Sequence, residues 1–322
     1  MPKRILILGG SGFVGNALTS CLLRDGNQVT LLNRGNNRIK GCNQLIADRN
    51  SEADMKNCSS DIDIFDVLID TSSYNIDQTE RAWRYFSDKT NMWIHLSSAS
   101  VYKEKGDSFE FIETDSIGGA KIWGKYGEEK SQIDSFLIKK SGGKSIVILR
   151  PPYLYGPQND NERETFIWSR ALNNCPILVP GDGNTLIQFL HVNDLAICIL
   201  KCIKDAPLMS VVYNVASAEL ISLKQWVNLL IGICQLENSN VNLVNGYAGE
   251  NSARQYFPFR DYPCCLNIKS IETDLDWKAV YTLNDGFRQT FDSYTIEYLR
   301  RISPNISDIE GNIYEKLQKR TQ

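Results

Sequence analysis

The sequence predicts an α/β fold, a doubly wound parallel sheet followed by a smaller, mainly helical lobe. Three observations carry this expectation. Strand-like and helix-like stretches alternate as far as Arg150, the pattern of a parallel sheet wrapped by helices. The first run, Ile5 to Leu8, is apolar at every position, as in a strand buried on both faces. A glycine-rich turn, Gly9-Gly10-Ser11-Gly12-Phe13-Val14-Gly15, joins that run to the first helix.

Taken in order, the expected strands are Arg4–Leu8, Gln28–Asn33, Gln44–Ala47, Asp66–Asp70, Met92–Ser97 and Ser145–Leu149. Helices are expected over 13–24, 77–87 and 124–139. After Arg150, Pro151, Pro152, Gly156 and Pro157 make a stiff, turn-rich segment. Helix 163–173, a short strand at Ile177–Val179 and a Pro180-Gly181-Asp182-Gly183 turn follow. Helix 193–204 and strand Val211–Val215 are expected to return to the main sheet. Residues 218–302 read as mostly helical, and the polar tail from Ser303 as one peripheral helix. The expected domains are 1–160, with a return over 186–216, and a substrate lobe made of 161–185 and 217–322.

Composition narrows the classes. A hydrophobic content of 42% and a charged content of 23% are ordinary for a globular protein. The net charge of −3 offers no electrostatic footprint for nucleic acid. No run is apolar for long enough to span a bilayer, and Met1-Pro2-Lys3-Arg4 leads straight into a strand without a signal-peptide pattern. Nine scattered cysteines, three of them (Cys21, Cys198, Cys202) in apolar helical stretches, fit a reducing, cytoplasmic setting. His95 and His191 are the only histidines and make no metal site.

The glycine turn points to a dinucleotide. Gly9 lets the chain turn off the strand, Gly12 lets backbone approach a pyrophosphate, and Gly15 allows tight helix packing. The helix end then offers free N–H groups and a positive dipole to phosphate. The Gly-x-x-Gly-x-x-Gly spacing resembles that of the extended short-chain dehydrogenase/reductase family, a Rossmann-type group of nucleotide-sugar epimerases, dehydratases and ketoreductases. The resemblance runs from residue 4 to about residue 290. Within the family it is nearest a branch that includes chloroplast stem-loop-binding proteins and their bacterial relatives.

The second strand ends Leu31-Leu32-Asn33-Arg34-Gly35. An acid there would bind the adenosine ribose of NAD. Asn33 replaces it, and the Arg34 guanidinium, with Arg38 in support, suits a 2′-phosphate. NADP(H) is therefore expected over NAD. The resemblance adds Asp48, next to Arg49, as the residue meeting adenine. It adds Thr71, Ser72 and Ser73 as lining the inner half of the cofactor site, and Pro152 and Tyr153 as lying beside the carboxamide. Ser11, Phe13 and Val14 complete the expected cofactor contacts in the glycine turn.

Tyr126 and Lys130 form Tyr-x-x-x-Lys, and residues i and i+4 share a helix face. A nearby ammonium lowers the tyrosine pKa from about 10, so the phenol can exchange a proton at a substrate oxygen as hydride moves. By its distance from Val101-Tyr102, Ser98 matches the family residue that hydrogen-bonds the substrate oxygen. Sugar 4,6-dehydratases of the family carry Asp-Glu after that residue. This chain has Ala99 and Ser100, which cannot do carboxylate work. Asp194, in His191-Val192-Asn193-Asp194, is expected to cap or pair rather than react.

On the substrate side, Arg254 and Arg260, in the second lobe, are the candidates to hold a diphosphate, with Ser98 and Ser100 nearer the sugar. The leading expectation is NADPH-dependent reduction of a keto group, C4 of a nucleotide-linked 4-keto-6-deoxy sugar. A nucleotide-sugar 4-epimerase with bound NAD is the alternative, and a non-enzymatic RNA-binding relative the third. A homodimer through the helices near 77–87 and 124–139 is typical of the family.

Overall fold

The computed structural model describes the chain except residues 61, 107, 141–143, 160, 208, 237–239, 246–251, 303–305 and 322. It divides into two compact units. The first is Met1–Leu154, Leu190–Ala218 and Leu266–Val280, and the second is Tyr155–Phe189, Glu219–Cys265 and Tyr281–Gln322.

The first unit is built on a seven-stranded sheet. Its strands are β1 (Arg4–Leu8), β2 (Gln28–Asn33), β3 (Asn43–Ile46), β4 (Phe65–Asp70), β5 (Thr90–Leu96), β6 (Ser145–Arg150) and β7 (Val211–Asn214). The order is β7-β6-β5-β4-β1-β2-β3, and every pairing is parallel. The strand order reverses between β1 and β4, and open α/β sheets take ligands at such a reversal, beyond the carboxyl ends of the strands. The helices of this unit are α1 (Phe13–Arg24), α2 (Glu52–Ser60), α3 (Ile76–Phe86) and α4 (Gly124–Lys139), and later α6 (Val192–Asp205) and α8 (Lys269–Leu275). Leu6, Leu8, Leu68, Trp93, Ile146 and Ile148 project from one sheet face into a core shared with Met55 of α2, Phe86 of α3 and Leu137 of α4. The intervening Ile5, Ile7, Ile69 and Val147 are equally buried on the opposite face. Burial on both faces is why these strands lack polar alternation.

Most expected elements lie within two residues of their expected ends. One helix, α2, was not expected. Its sequence, EADMKNCSS, is polar, and only Met55 and Ser59 are buried, so no apolar stripe marks it. Residues 266–280 also differ from expectation, since they belong to the first unit. There α8 packs on α6 and β7.

The second unit holds α5 (Arg163–Leu172), α7 (Leu223–Ile233), α9 (Leu283–Asp292), α10 (Ile296–Arg301) and α11 (Asp308–Thr321). Ser222 and Gln225 form a reciprocal capping box at the start of α7. The core is aromatic. Trp226 lies 4.8 Å from Phe259, Tyr155 lies 4.2 Å from Phe287, and the buried Trp168 donates its indole N–H to the Leu230 carbonyl at 3.1 Å. The tail begins in undescribed residues, but α11 is not merely peripheral. Its Glu310 forms a buried ion pair with Arg170 of α5. Among the described residues, no helix is long and apolar enough to cross a membrane.

Candidate active site

The turn after β1 shows what each glycine does. Gly9 has φ +107°, and a Cβ there would lie 2.7 Å from Thr71 Oγ1. A Cβ on Gly15 would lie 2.3 Å from the carbonyl carbon of Gly10, so at this residue α1 packs directly on the turn. A Cβ on Gly12 would meet nothing within 4 Å, so this glycine faces open space. The N-cap of α1 is Gly12 itself, with no side-chain cap and no acid in the first turn. The helix end is therefore free to receive an anion.

Beside this turn lies a cavity of about 450 Å³. Gly9, Ser11, Gly12, Asn33, Arg34, Asp48, Arg49 and Ser72 of the expected cofactor residues line it. Asn33 accepts from the Gly35 amide at 2.8 Å and from Gln44 Nε2 at 2.7 Å, which fixes its oxygen. Its Nδ2 is buried without a partner, and the position carries no carboxylate. Arg34 is exposed at the cavity edge. Asp48 Oδ1 closes a local turn by accepting from the Asn50 amide at 2.9 Å.

Several expected contacts fall elsewhere. Arg38 is exposed and does not line the cavity, and neither do Phe13, Val14 or Thr71. Thr71 Oγ1 donates to the Leu8 carbonyl at 3.1 Å. Ser73 is fully buried, with its hydroxyl 2.5 Å from Thr79 Oγ1, so it faces the interior rather than the cavity. Tyr74 and Gln78 line the cavity, although the sequence reading assigned them no role. Adjacency to the Thr71–Ser73 segment was the one available signal.

Arg49 does more than line the cavity. It forms a two-pronged ion pair with Asp70 at 2.8 and 3.0 Å and donates to Ser72 Oγ at 2.6 Å. Burial alone would raise the Asp70 pKa, but Arg49 holds it below the usual carboxylate value. His95 sits opposite Asp70 in the β4–β5 register. It is fully buried and neither ring nitrogen has a partner; burial, then the nearby Lys130 charge, push its pKa down to about 3.

Tyr126 and Lys130 both lie on α4, with different exposures of 44% and 4%. Lys130 Nζ donates to the Leu96 carbonyl at 3.0 Å and sits 5.8 Å from the ring centroid of Tyr74. Tyr74 lines the cavity, so the ammonium stands next to the cavity wall. Burial pushes Lys130 down to about 8, while Asp70 and Asp134 hold it up. Ser98 caps the short turn Ala99–Val101 after β5, its hydroxyl accepting from the Ser100 amide at 3.2 Å.

Two glycines press α4 against this turn. A Cβ on Gly127 would lie 2.6 Å from the Ser100 carbonyl oxygen, and one on Gly119 would lie 2.6 Å from the Gly127 carbonyl carbon. The sequence reading gave neither glycine a role. The same packing covers Ser100, which is 4% exposed with an unpartnered hydroxyl. Of the expected carboxamide neighbours, Pro152 and Tyr153 are half-buried, and the Tyr153 ring meets Trp123 edge-on at 6.4 Å.

The polar residues behind the site are structural. Arg150 is 1% exposed and donates to Asp134 at 2.8 Å and to the Tyr102 hydroxyl at 3.0 Å. Asp194 accepts from the Val280 amide at 3.0 Å, and His191 Nδ1 caps α6 by accepting from Asn193, so both pair within the fold as expected. In the second unit, Arg254 is exposed and donates to the Pro258 carbonyl, while Arg260 is half-buried.

The chain is 26% identical over 313 residues to the chloroplast stem-loop binding protein of 41 kDa b of Arabidopsis thaliana, covering 92% of this chain and 80% of the relative. Its fold matches a dTDP-glucose 4,6-dehydratase of Bacillus anthracis solved with NAD, with TM-score 0.75 and 16% identity over 91% of this chain and 96% of that one. A UDP-glucose 4-epimerase of Thermotoga maritima solved with UDP-glucose matches equally, with TM-score 0.75 and 18% identity over 92% and 98% of the two chains. Residues 5–216, from β1 through the strand that returns to the sheet, fit a single family model, and on that match the chain belongs to the NAD dependent epimerase/dehydratase family.

Proposed function

We propose that this chain is an NADP(H)-dependent oxidoreductase that reduces a keto group of a nucleotide-linked sugar. The C4 carbonyl of a 4-keto-6-deoxy sugar is the position the family resemblance indicates. One observation carries the reading: a buried ammonium, Lys130, stands beside the cavity wall one helical turn from Tyr126. An uncapped helix end and open space at Gly12, both at the cavity, support binding of the cofactor's phosphates there.

When bound, the nicotinamide supplies the hydride. Tyr126 donates its phenolic proton to the carbonyl oxygen, and the Lys130 charge eases that transfer by stabilising the phenolate. Ser98 donates a hydrogen bond to the same oxygen. Ala99 and Ser100 leave no carboxyl pair for dehydration. The absence of an acid at Asn33 and the Arg34 guanidinium at the cavity edge favour a phosphate-bearing ribose. Arg254 and Arg260 are the candidates for the sugar diphosphate.

A 4-epimerase is the second reading, favoured by the fold it shares with the Thermotoga maritima epimerase. Nucleotide released on denaturing the purified protein separates the two. Retained NAD supports the epimerase, and an empty site with NADPH turnover supports the reductase. The decisive assay is loss of NADPH absorbance against a panel of nucleotide-linked keto sugars. In it, Tyr126→Phe should lower turnover at least 100-fold while leaving NADPH affinity within threefold. Full turnover by that variant would end the acid–base assignment. Retention of stem-loop RNA at moderate salt would instead revive an RNA-binding role; the Arabidopsis relative is named for stem-loop binding.

A further inference from the structure

Beneath the cavity, on the first unit's sheet, lies a set of charged side chains that the proposed chemistry does not use. Arg49 and Asp70 form the two-pronged pair, with Asp70 fully buried. Asp70 is the last residue of β4, and its register partner on β5 is His95. His95 is followed by Leu96, whose carbonyl is the hydrogen-bond acceptor for Lys130. Asp134, one turn beyond Lys130 on α4, is already bound by Arg150 at 2.8 Å. Lys130 therefore sits buried against a carbonyl partner and an aromatic face, and Asp70 is the anion most able to balance it.

We infer that Asp70, oriented by Arg49, is a positioning residue that keeps Lys130 cationic at the edge of the cofactor cavity. The inference deepens the proposed function, because it assigns a source for the charge that reading gives to Lys130. Besides the Tyr74 ring, four charged or titratable groups act on the ammonium. Asp70 on β4 and Asp134 on α4 stabilise its charge, and Arg49 opposes it. His95 on β5 stays neutral in its burial and adds no charge near pH 7. Among the anions Asp70 acts more strongly on Lys130 than Asp134 does, as expected where Arg150 already neutralises Asp134. Arg49 holds Asp70 ionised in a site where burial alone would favour its protonated form. The ion pair thus connects a cavity-lining residue to the proton-handling end without touching substrate.

The test reads Lys130 directly. In protein carrying carbon-13 lysine, the Lys130 side-chain resonance, identified by its loss in Lys130→Arg, is followed against pH. The wild-type midpoint is expected near 8. In Asp70→Asn it should fall by at least one pH unit, meaning about tenfold less ammonium relative to amine at a given pH. Asp70→Asn leaves Arg49 without its partner, so the double variant Arg49→Gln/Asp70→Asn removes both charges at once. Asp70 outweighs Arg49 at Lys130, so the double variant should titrate below wild type but above Asp70→Asn. Wild-type midpoints in both variants would overturn the inference whatever their activity. Turnover is measured in parallel. If its pH profile moves with the resonance, the role of Lys130 in the proposed chemistry is supported as well. A resonance that moves while the profile stays put supports the positioning role and removes Lys130 from the reaction.

Discussion

Gly12 and Gly15 make opposite predictions, three residues apart in one turn. At Gly12 the backbone (φ −93°, ψ −170°) suits any L-residue, and a Cβ meets nothing within 4 Å. Gly12→Ala should therefore fold normally, losing at most about 1 kcal/mol as a poorer helix N-cap. For a chain of this size that is about 2 °C in melting temperature. The added methyl would stand where backbone is expected to meet pyrophosphate, and NADPH affinity should fall at least tenfold, about 1.4 kcal/mol. At Gly15 a Cβ would lie 2.3, 2.4 and 2.8 Å from the backbone carbonyl carbon, Cα and nitrogen of Gly10. Backbone cannot rotate away as a side-chain end can, so helix and turn must separate by about 1 Å. Overpacking of this kind costs about 1–3 kcal/mol. Gly15→Ala should therefore melt several degrees lower and lose cofactor binding as a consequence of that distortion. Thermal melts and calorimetric titration with NADPH, run on both variants, separate the two effects. Wild-type NADPH affinity in Gly12→Ala would refute the placement of the phosphate at the end of α1.

Other predictions follow from single groups. Arg34→Ala should weaken NADPH at least tenfold more than NADH, and equal losses would remove the 2′-phosphate assignment. His95 should make the fold acid-sensitive. Its pKa falls from 6.5 unfolded to about 3 folded, so the unfolded state binds the extra proton first. The associated stability is intact above pH 6.5 and is lost as pH falls toward 3, up to about 5 kcal/mol. Urea midpoints for His95→Gln should show a flatter decline across that window. Glu164, 2% exposed and bound by Asn159 Nδ2 at 3.3 Å, is pushed by burial from 4.5 to about 7. The raised value means stability is lost as pH climbs from 4.5 to 7. Glu164→Gln should stabilise the fold by up to about 3 kcal/mol at pH 8 and hardly at all at pH 4. An equal gain at both pH values would show that its charge is not the cause.

The parallel sheet was legible in the chain because each strand declares itself locally. Ile5 to Leu8 must be buried on both faces, and Gly9 and Gly15 answer a positive φ and a close backbone approach that no other residue meets as well. The Tyr126/Lys130 spacing was likewise a local fact about one helix. Helix α2 escaped notice because it buries only Met55 and Ser59, and the placement of residues 266–280 depends on packing against α6 and β7. Ser73 and Ser100 read as cofactor and substrate contacts, yet both are buried, and packing decides which way a buried hydroxyl faces. Only the folded sheet brings Asp70 opposite His95 and closes Arg49 onto it. Charge effects depend on distance and burial, which strand register and helix packing set and residue order alone does not. So the sequence by itself determined a glycine-rich strand-to-helix turn and a tyrosine and a lysine one helical turn apart, while tertiary structure decided which charges surround the amine.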